Sequence, residues 1–195
     1  MGLAQAASTS APQPFASARL ERVFNDCFAD SWSTRLLGGA DEPFYRPAVA
    51  SVGYHALFYR YDYFASALHE VAHWCIAGAQ RRQQPDFGYW YTPGNRSVEQ
   101  QRAFEAVESK PQALEWFFSR ACGYSFQVST DNLELARVEK LDSVAFQRHV
   151  LAQALIWQAE GLPGRASVFF RALCREFGSA VPAAQLHFTL AELVS

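Results

Sequence analysis

The stretch His69-Glu70-Val71-Ala72-His73 constrains this chain more than any other feature of its 195 residues. An H-E-x-x-H pattern brings its two imidazoles together only in a helix, where residues i and i+4 lie one above the other on the same face. Two imidazoles placed in this way can grip one divalent ion. The flanking residues agree with a helix. Asp62 can cap a segment running from about Tyr63 to Ala77, Gly78 supplies a stop, and Arg81 and Arg82 suit the negative end of the helix dipole.

Around this helix the pattern predicts a mainly helical α+β domain with a small β-sheet, a single domain built about a zincin-like H-E-x-x-H helix. Leu20, Val23, Phe24, Cys27 and Phe28 recur at helical spacing between Ala18 and Ala29. Residues 38–47 read as loop with short extended pieces, and His55–Arg60 and Phe87–Tyr91 as strands, with Thr92-Pro93-Gly94-Asn95 as a turn. Ser97 with Gln100 forms a capping box for a third helix across Arg102, Phe104 and Val107. Pro111 is expected to break that helix near Glu108 to Lys110, leaving Ser109 and Gln112 to cap a new one that ends at Gly123. Further helices are expected over Ser143–Glu160, Val168–Phe177 and Pro182–Val194. Residues 1–17, rich in Ala, Ser, Gln and Pro, read as a disordered tail, and residues 18–195 as the one metal-binding catalytic domain.

Charge and cysteine usage narrow the partners. With 17 basic against 19 acidic residues the net charge is −2, so no broad field points to nucleic acid. No run approaches the ~20 apolar residues needed to span a bilayer, and the N-terminus lacks a charged start followed by an apolar run, so a cytoplasmic protein without membrane contact is expected. Cys27, Cys75, Cys122 and Cys174 stand too far apart for a zinc knuckle and read as reduced core residues, with Cys75 pointing away from the histidine face.

A two-histidine grip needs a third ligand. His149 and His187 read as structural, and no H-x-x-G-x-x-H extension follows His73. Glu105 and Glu108, three residues apart, share a helix face and either could reach the ion. The expected Pro111 break favours Glu108, since an irregular turn can aim a side chain and Gln112 could support it. Asp86 with Tyr89-Trp90-Tyr91 could wall a pocket for a cationic group. Taken alone, the pattern points to a zinc metalloprotease of the gluzincin type, with Glu70 as the general base.

A wider set of blocks points elsewhere. Cys27-Phe-Ala-Asp30, Asp41-Glu-Pro43, Phe64-Ala-Ser-Ala-Leu-His-Glu70, His73-Trp-Cys-Ile-Ala-Gly78, Asp86-Phe-Gly-Tyr-Trp-Tyr91, Lys110-Pro-Gln-Ala-Leu114 and Asp131-Asn-Leu-Glu134 stand in an order that resembles the bacterial elongation factor P hydroxylases. The resemblance implies an enzyme that hydroxylates a lysine of elongation factor P after a β-lysyl extension. It also implies a two-histidine, one-carboxylate iron site at His69, His73 and Glu108. The chemistry would be that of a non-haem Fe(II) monooxygenase with O2 as cosubstrate, elongation factor P as protein partner, and Glu70 holding an active-site network. None of the histidines starts the short H-x-D/E pair that marks the 2-oxoglutarate oxygenases, so that cosubstrate is not assumed. The gluzincin-type protease is the alternative.

Overall fold

Among residues 14–86, 97–129 and 143–193, which the computed structural model describes, the chain forms five helices and one small sheet. The order is α1 (Ser17–Phe28), β1 (Thr34–Ala40), β2 (Phe44–Arg46), β3 (His55–Arg60), α2 (Phe64–Ile76), α3 (Val98–Cys122), α4 (Ser143–Glu160) and α5 (Gly164–Phe177). Strand Phe87–Tyr91 and the turn after it lie outside the described residues, as does most of the expected tail. The mainly helical α+β architecture is the one the sequence predicts.

The sheet runs β1-β3-β2, with β1 parallel and β2 antiparallel to β3. Leu36 and Tyr45 both face Leu57 across the ladder, and all three are buried. The edge of β1 is covered by α1, which supplies the acceptors that the unpaired backbone needs. Asn25 Oδ1 accepts from Leu36 N at 3.0 Å, and Glu21 Oε1 accepts from Gly38 N and from the Tyr59 hydroxyl, each at 2.8 Å. Gly38 has to be glycine, because a Cβ there would stand 2.6 Å from the Tyr59 hydroxyl and 2.8 Å from the Tyr61 carbonyl oxygen. Residues 38–47 thus contain more strand than their Gly and Pro content suggests, and β1 begins upstream of them at Thr34.

Helix α2 buries Phe64, Ala67, Leu68, Val71, Ala72, Trp74 and Cys75. Phe24 and Phe28 of α1 pack on Trp74 with ring centroids 5.1 and 4.8 Å apart, and Phe169 of α5 joins Phe24 at 5.9 Å. These apolar positions cover most of the helix, so only the strip with His69, Glu70 and His73 is left partly open. Both ends of α2 differ from expectation. Tyr63 rather than Asp62 is the N-cap, with no side-chain cap. The other end closes on an extended Ala77, and a cation far along the chain serves it, since Arg165 Nη2 of α5 donates to the carbonyls of Trp74, Cys75 and Ala77 at 2.9, 3.0 and 2.6 Å. Arg165 lies between the Trp32 and Trp74 rings, 4.7 and 4.8 Å from their centroids. Arg82 also donates to Ala77, as the dipole argument expects, whereas Arg81 pairs with Asp86 at 2.6 Å.

Helix α3 overturns the expected break. It runs unbroken through Pro111 from its Ser97/Gln100 capping box to Gly123, which closes it in the left-handed conformation at φ 68°. Proline forfeits one backbone hydrogen bond, but burial of Ala113, Leu114, Trp116, Phe117 and Phe118 just beyond it offsets that loss. Ser109 therefore caps nothing, and its hydroxyl donates back to the Ala106 carbonyl. Gln112 instead clasps Ser129, donating to its carbonyl at 2.7 Å and accepting from its N–H at 3.1 Å. The last expected helix, Pro182–Val194, is two short 3-10 turns, Ala183–Gln185 and Leu190–Glu192, whose neighbours Leu186 and Phe188 anchor the chain in the core.

Candidate metal centre

The open strip of α2 faces α3. His69 and His73 stand one turn apart, rings edge to face, with their Nε2 atoms 3.1 Å from each other. From α3, Glu108 reaches both rings, with Oε2 3.5 Å from His69 Nε2 and Oε1 3.2 Å from His73 Nε2. His69, His73 and Glu108 are the group among the described residues whose ligand atoms all lie within 4.8 Å of one another. Glu108 is buried, and its Oε2 has no hydrogen-bond partner. A buried carboxylate oxygen left without a donor, facing two imidazole nitrogens, is a donor set that fits a divalent cation.

The structure brings the three expected residues together, but the break at Pro111 from which the sequence favours Glu108 is absent. Continuous helical register across α3, not a turn at Pro111, delivers it to the histidines. Glu105, one turn earlier, is partly exposed, accepts from Gln101 Nε2 at 3.1 Å and stands outside the group. His149 and His187 are exposed and also outside it.

Charges around the site are strongly coupled. Burial by itself would lower the His69 value, but the hydrogen bond and charge of Glu115, with Glu108 and Glu70 beyond, raise it to about 10. Burial acts on Glu108 in the opposite sense to its partners; the hydrogen bond and charge of His73, with His69 and Gln112, bring it down to about 2. Glu70 and Glu115 are both pushed up, first by burial.

Glu115 is the residue that sequence reasoning missed. It is buried on α3, and its Oε2 lies 2.9 Å from His69 Nδ1, on the far side of the ring from Glu108. A signal for it exists in the chain. Gln101, Glu105, Glu108, Gln112, Glu115 and Ser119 recur at alternating steps of four and three, one polar stripe along the helix. Five of those six are buried, Glu105 being the exception.

The site opens into a cleft of about 1420 Å3, whose wall includes Glu70 and, toward the sheet, Asp41, Glu42, Tyr61 and Tyr63. Asp86 also lines it, held by Arg81 and by backbone bonds to Tyr45 at 2.6 and 2.9 Å. Tyr89 and its aromatic neighbours, the rest of the expected cation pocket, lie outside the described residues. The four cysteines are free, with Cys75 buried on the side of α2 away from the histidines. No helix among the described residues is long and apolar enough to cross a membrane.

The family described as Elongation factor P hydroxylase matches residues 23–188 of the chain. A protein of Haemophilus influenzae named Elongation factor P lysine hydroxylase is 46% identical over 151 residues, covering 77% of this chain and 83% of that relative. Every residue of the candidate centre falls within the matched region.

Proposed function

From the premise that the chain belongs to the elongation factor P hydroxylase family, we propose that it is a non-haem iron monooxygenase acting on a lysine of elongation factor P. The observation that carries the proposal is the convergence of His69 Nε2, His73 Nε2 and the Glu108 carboxylate, whose Oε2 has no hydrogen-bond partner, at one point of the cleft. Two imidazoles and one carboxylate occupy one face of an ion and leave other positions open. Iron(II) held there would supply the activation of dioxygen that insertion of oxygen into a C–H bond requires, which zinc, having no redox chemistry, would not.

The chain's own residues do the remaining work. Glu108 brings the anion that balances the ion's charge, and its low value keeps it ionised at neutral pH. Glu70, pushed up by burial on the rim of the site, holds the network around a substrate rather than serving as the base of a hydrolase. Asp41 and Glu42 place carboxylates on the cleft wall beside the aromatic faces of Tyr61 and Tyr63, a lining that suits a long cationic side chain such as a β-lysyl-extended lysine, while Asp86 is already paired with Arg81.

The metalloprotease alternative shares the ligands and differs in its product. Anaerobic reconstitution with Fe(II), addition of β-lysylated elongation factor P and air, and mass spectrometry of the modified peptide separate the two. A gain of one oxygen atom on the lysine supports the hydroxylase. Peptide cleavage by the zinc-loaded protein would favour the protease.

A further inference from the structure

His69 can hold an ion through Nε2 only if its other nitrogen keeps a proton, and nothing within the ring decides which nitrogen that is. In this fold the decision is made from α3. Glu115 Oε2 lies 2.9 Å from Nδ1, while Nε2 on the opposite side faces His73 Nε2 at 3.1 Å and Glu108 Oε2 at 3.5 Å. With Glu115 accepting there, the hydrogen atom of that contact sits on Nδ1, and Nε2 is the nitrogen that can give its lone pair to an ion once it has shed its own proton. Because the two ring nitrogens point outward on opposite sides, Glu115 stands where it does not share the ion that Glu108 faces.

We propose that Glu115 is a positioning residue of the metal centre, fixing the tautomer and the ring plane of His69 so that Nε2 is presented to the ion. The inference rests on the two-histidine, one-carboxylate reading above and adds a residue to it. Two features support a role in positioning over simple packing. Glu115 stands seven residues beyond Glu108 on the same stripe of one unbroken helix, so a single rigid element sets the ligand and the support together. Its neighbours Leu114, Trp116 and Phe117 are buried, which fixes the turn of helix that carries it. Partners of this kind orient the ring and raise its basicity as a ligand.

The test is Co(II) binding to the full chain, unaltered and as Glu115→Gln and Glu115→Leu, with Kd read by competition against a chelating dye. Circular dichroism reports the fold of each variant in parallel. Glu115→Leu removes the acceptor and should weaken binding about 10–100-fold, the range expected for loss of such a partner. Glu115→Gln keeps an acceptor of nearly the same shape without the charge, and should fall between the two. The loaded protein should also show an exchangeable proton resonance, shifted by the ion, from His69 Nδ1–H; it should persist in Glu115→Gln and vanish in Glu115→Leu. A Kd in folded Glu115→Gln and Glu115→Leu equal to that of the unaltered chain overturns the positioning role and leaves the metal centre standing. If Glu115→Leu does not fold, an unchanged Kd in Glu115→Gln overturns it alone. Failure of the unaltered chain to bind Co(II) overturns the metal reading, and the positioning role with it.

Discussion

Loading the centre should release a proton, and the amount follows from His69. In the metal-free protein its ring lies between Glu115 and Glu108 and holds its second proton up to about pH 10. At neutral pH the proton on Nδ1 faces Glu115, and the one on Nε2 stands where the ion would sit. Glu108, down at about 2, is already ionised and has none to give. One proton should therefore leave for each ion bound, and Kd should tighten about tenfold, or about 1.4 kcal/mol, for each pH unit through the neutral range. The metal-free fold should respond with the opposite sign. A raised histidine value stabilises fully below its ordinary 6.5 and is lost as pH rises through about 10, so the apo Tm should fall across that window while the Tm gain on adding ion grows. Titration calorimetry with Co(II) in two buffers of different ionisation enthalpy, repeated at pH 6.5 and 8, measures both proton count and slope. Heats independent of buffer, with a Kd that does not move with pH, would refute this account of the site's charges.

Three further outcomes are expected. His69→Ala and His73→Ala should lose iron and activity while staying folded, and Glu108→Ala should weaken iron binding and uncouple oxygen use from product, whereas Glu105→Ala, outside the ligand group, should retain the ion; metal content and oxygen uptake of the four proteins side by side decide this. Glu70→Gln should keep its iron and part of its turnover, and a protein that holds iron but is as inactive as the histidine variants would give Glu70 a larger part in the chemistry than is assigned to it here. Gly38→Ala should cost about 1–3 kcal/mol in urea unfolding, because its Cβ would meet the buried Tyr59, itself tied to Glu21, and the Tyr61 backbone; an unchanged midpoint would contradict that packing.

What the sequence made legible was local. The helix of His69 and His73, the capping box at Ser97 and the left-handed stop at Gly123 depend on residues within a few positions of one another, and each is where its pattern places it. The errors arise where distant packing decides. Pro111 reads as a breaker because its own chemistry disfavours helix, yet the buried residues on α3 beyond it outweigh one lost hydrogen bond. Arg165 ends α2 from about ninety residues away, which no local signal near Gly78 could reveal. Glu115 was readable in principle, but only once α3 is taken as one helix. With a break at Pro111 the stripe from Gln101 to Ser119 is cut in two, and Glu115 becomes one more charge beside aromatic core. The single mistaken boundary therefore hid the partner of His69 while leaving the cluster of His69, His73 and Glu108 visible.

The origin of the oxygen in the product separates an iron monooxygenase from a hydrolase most directly. The iron-loaded protein should be given β-lysylated elongation factor P under isotopically heavy dioxygen in ordinary water, and the modified lysine peptide weighed by mass spectrometry. Incorporation of one heavy oxygen atom, absent in Glu108→Ala, is the predicted result. A product whose oxygen comes from water, or a substrate cleaved rather than hydroxylated, would contradict it.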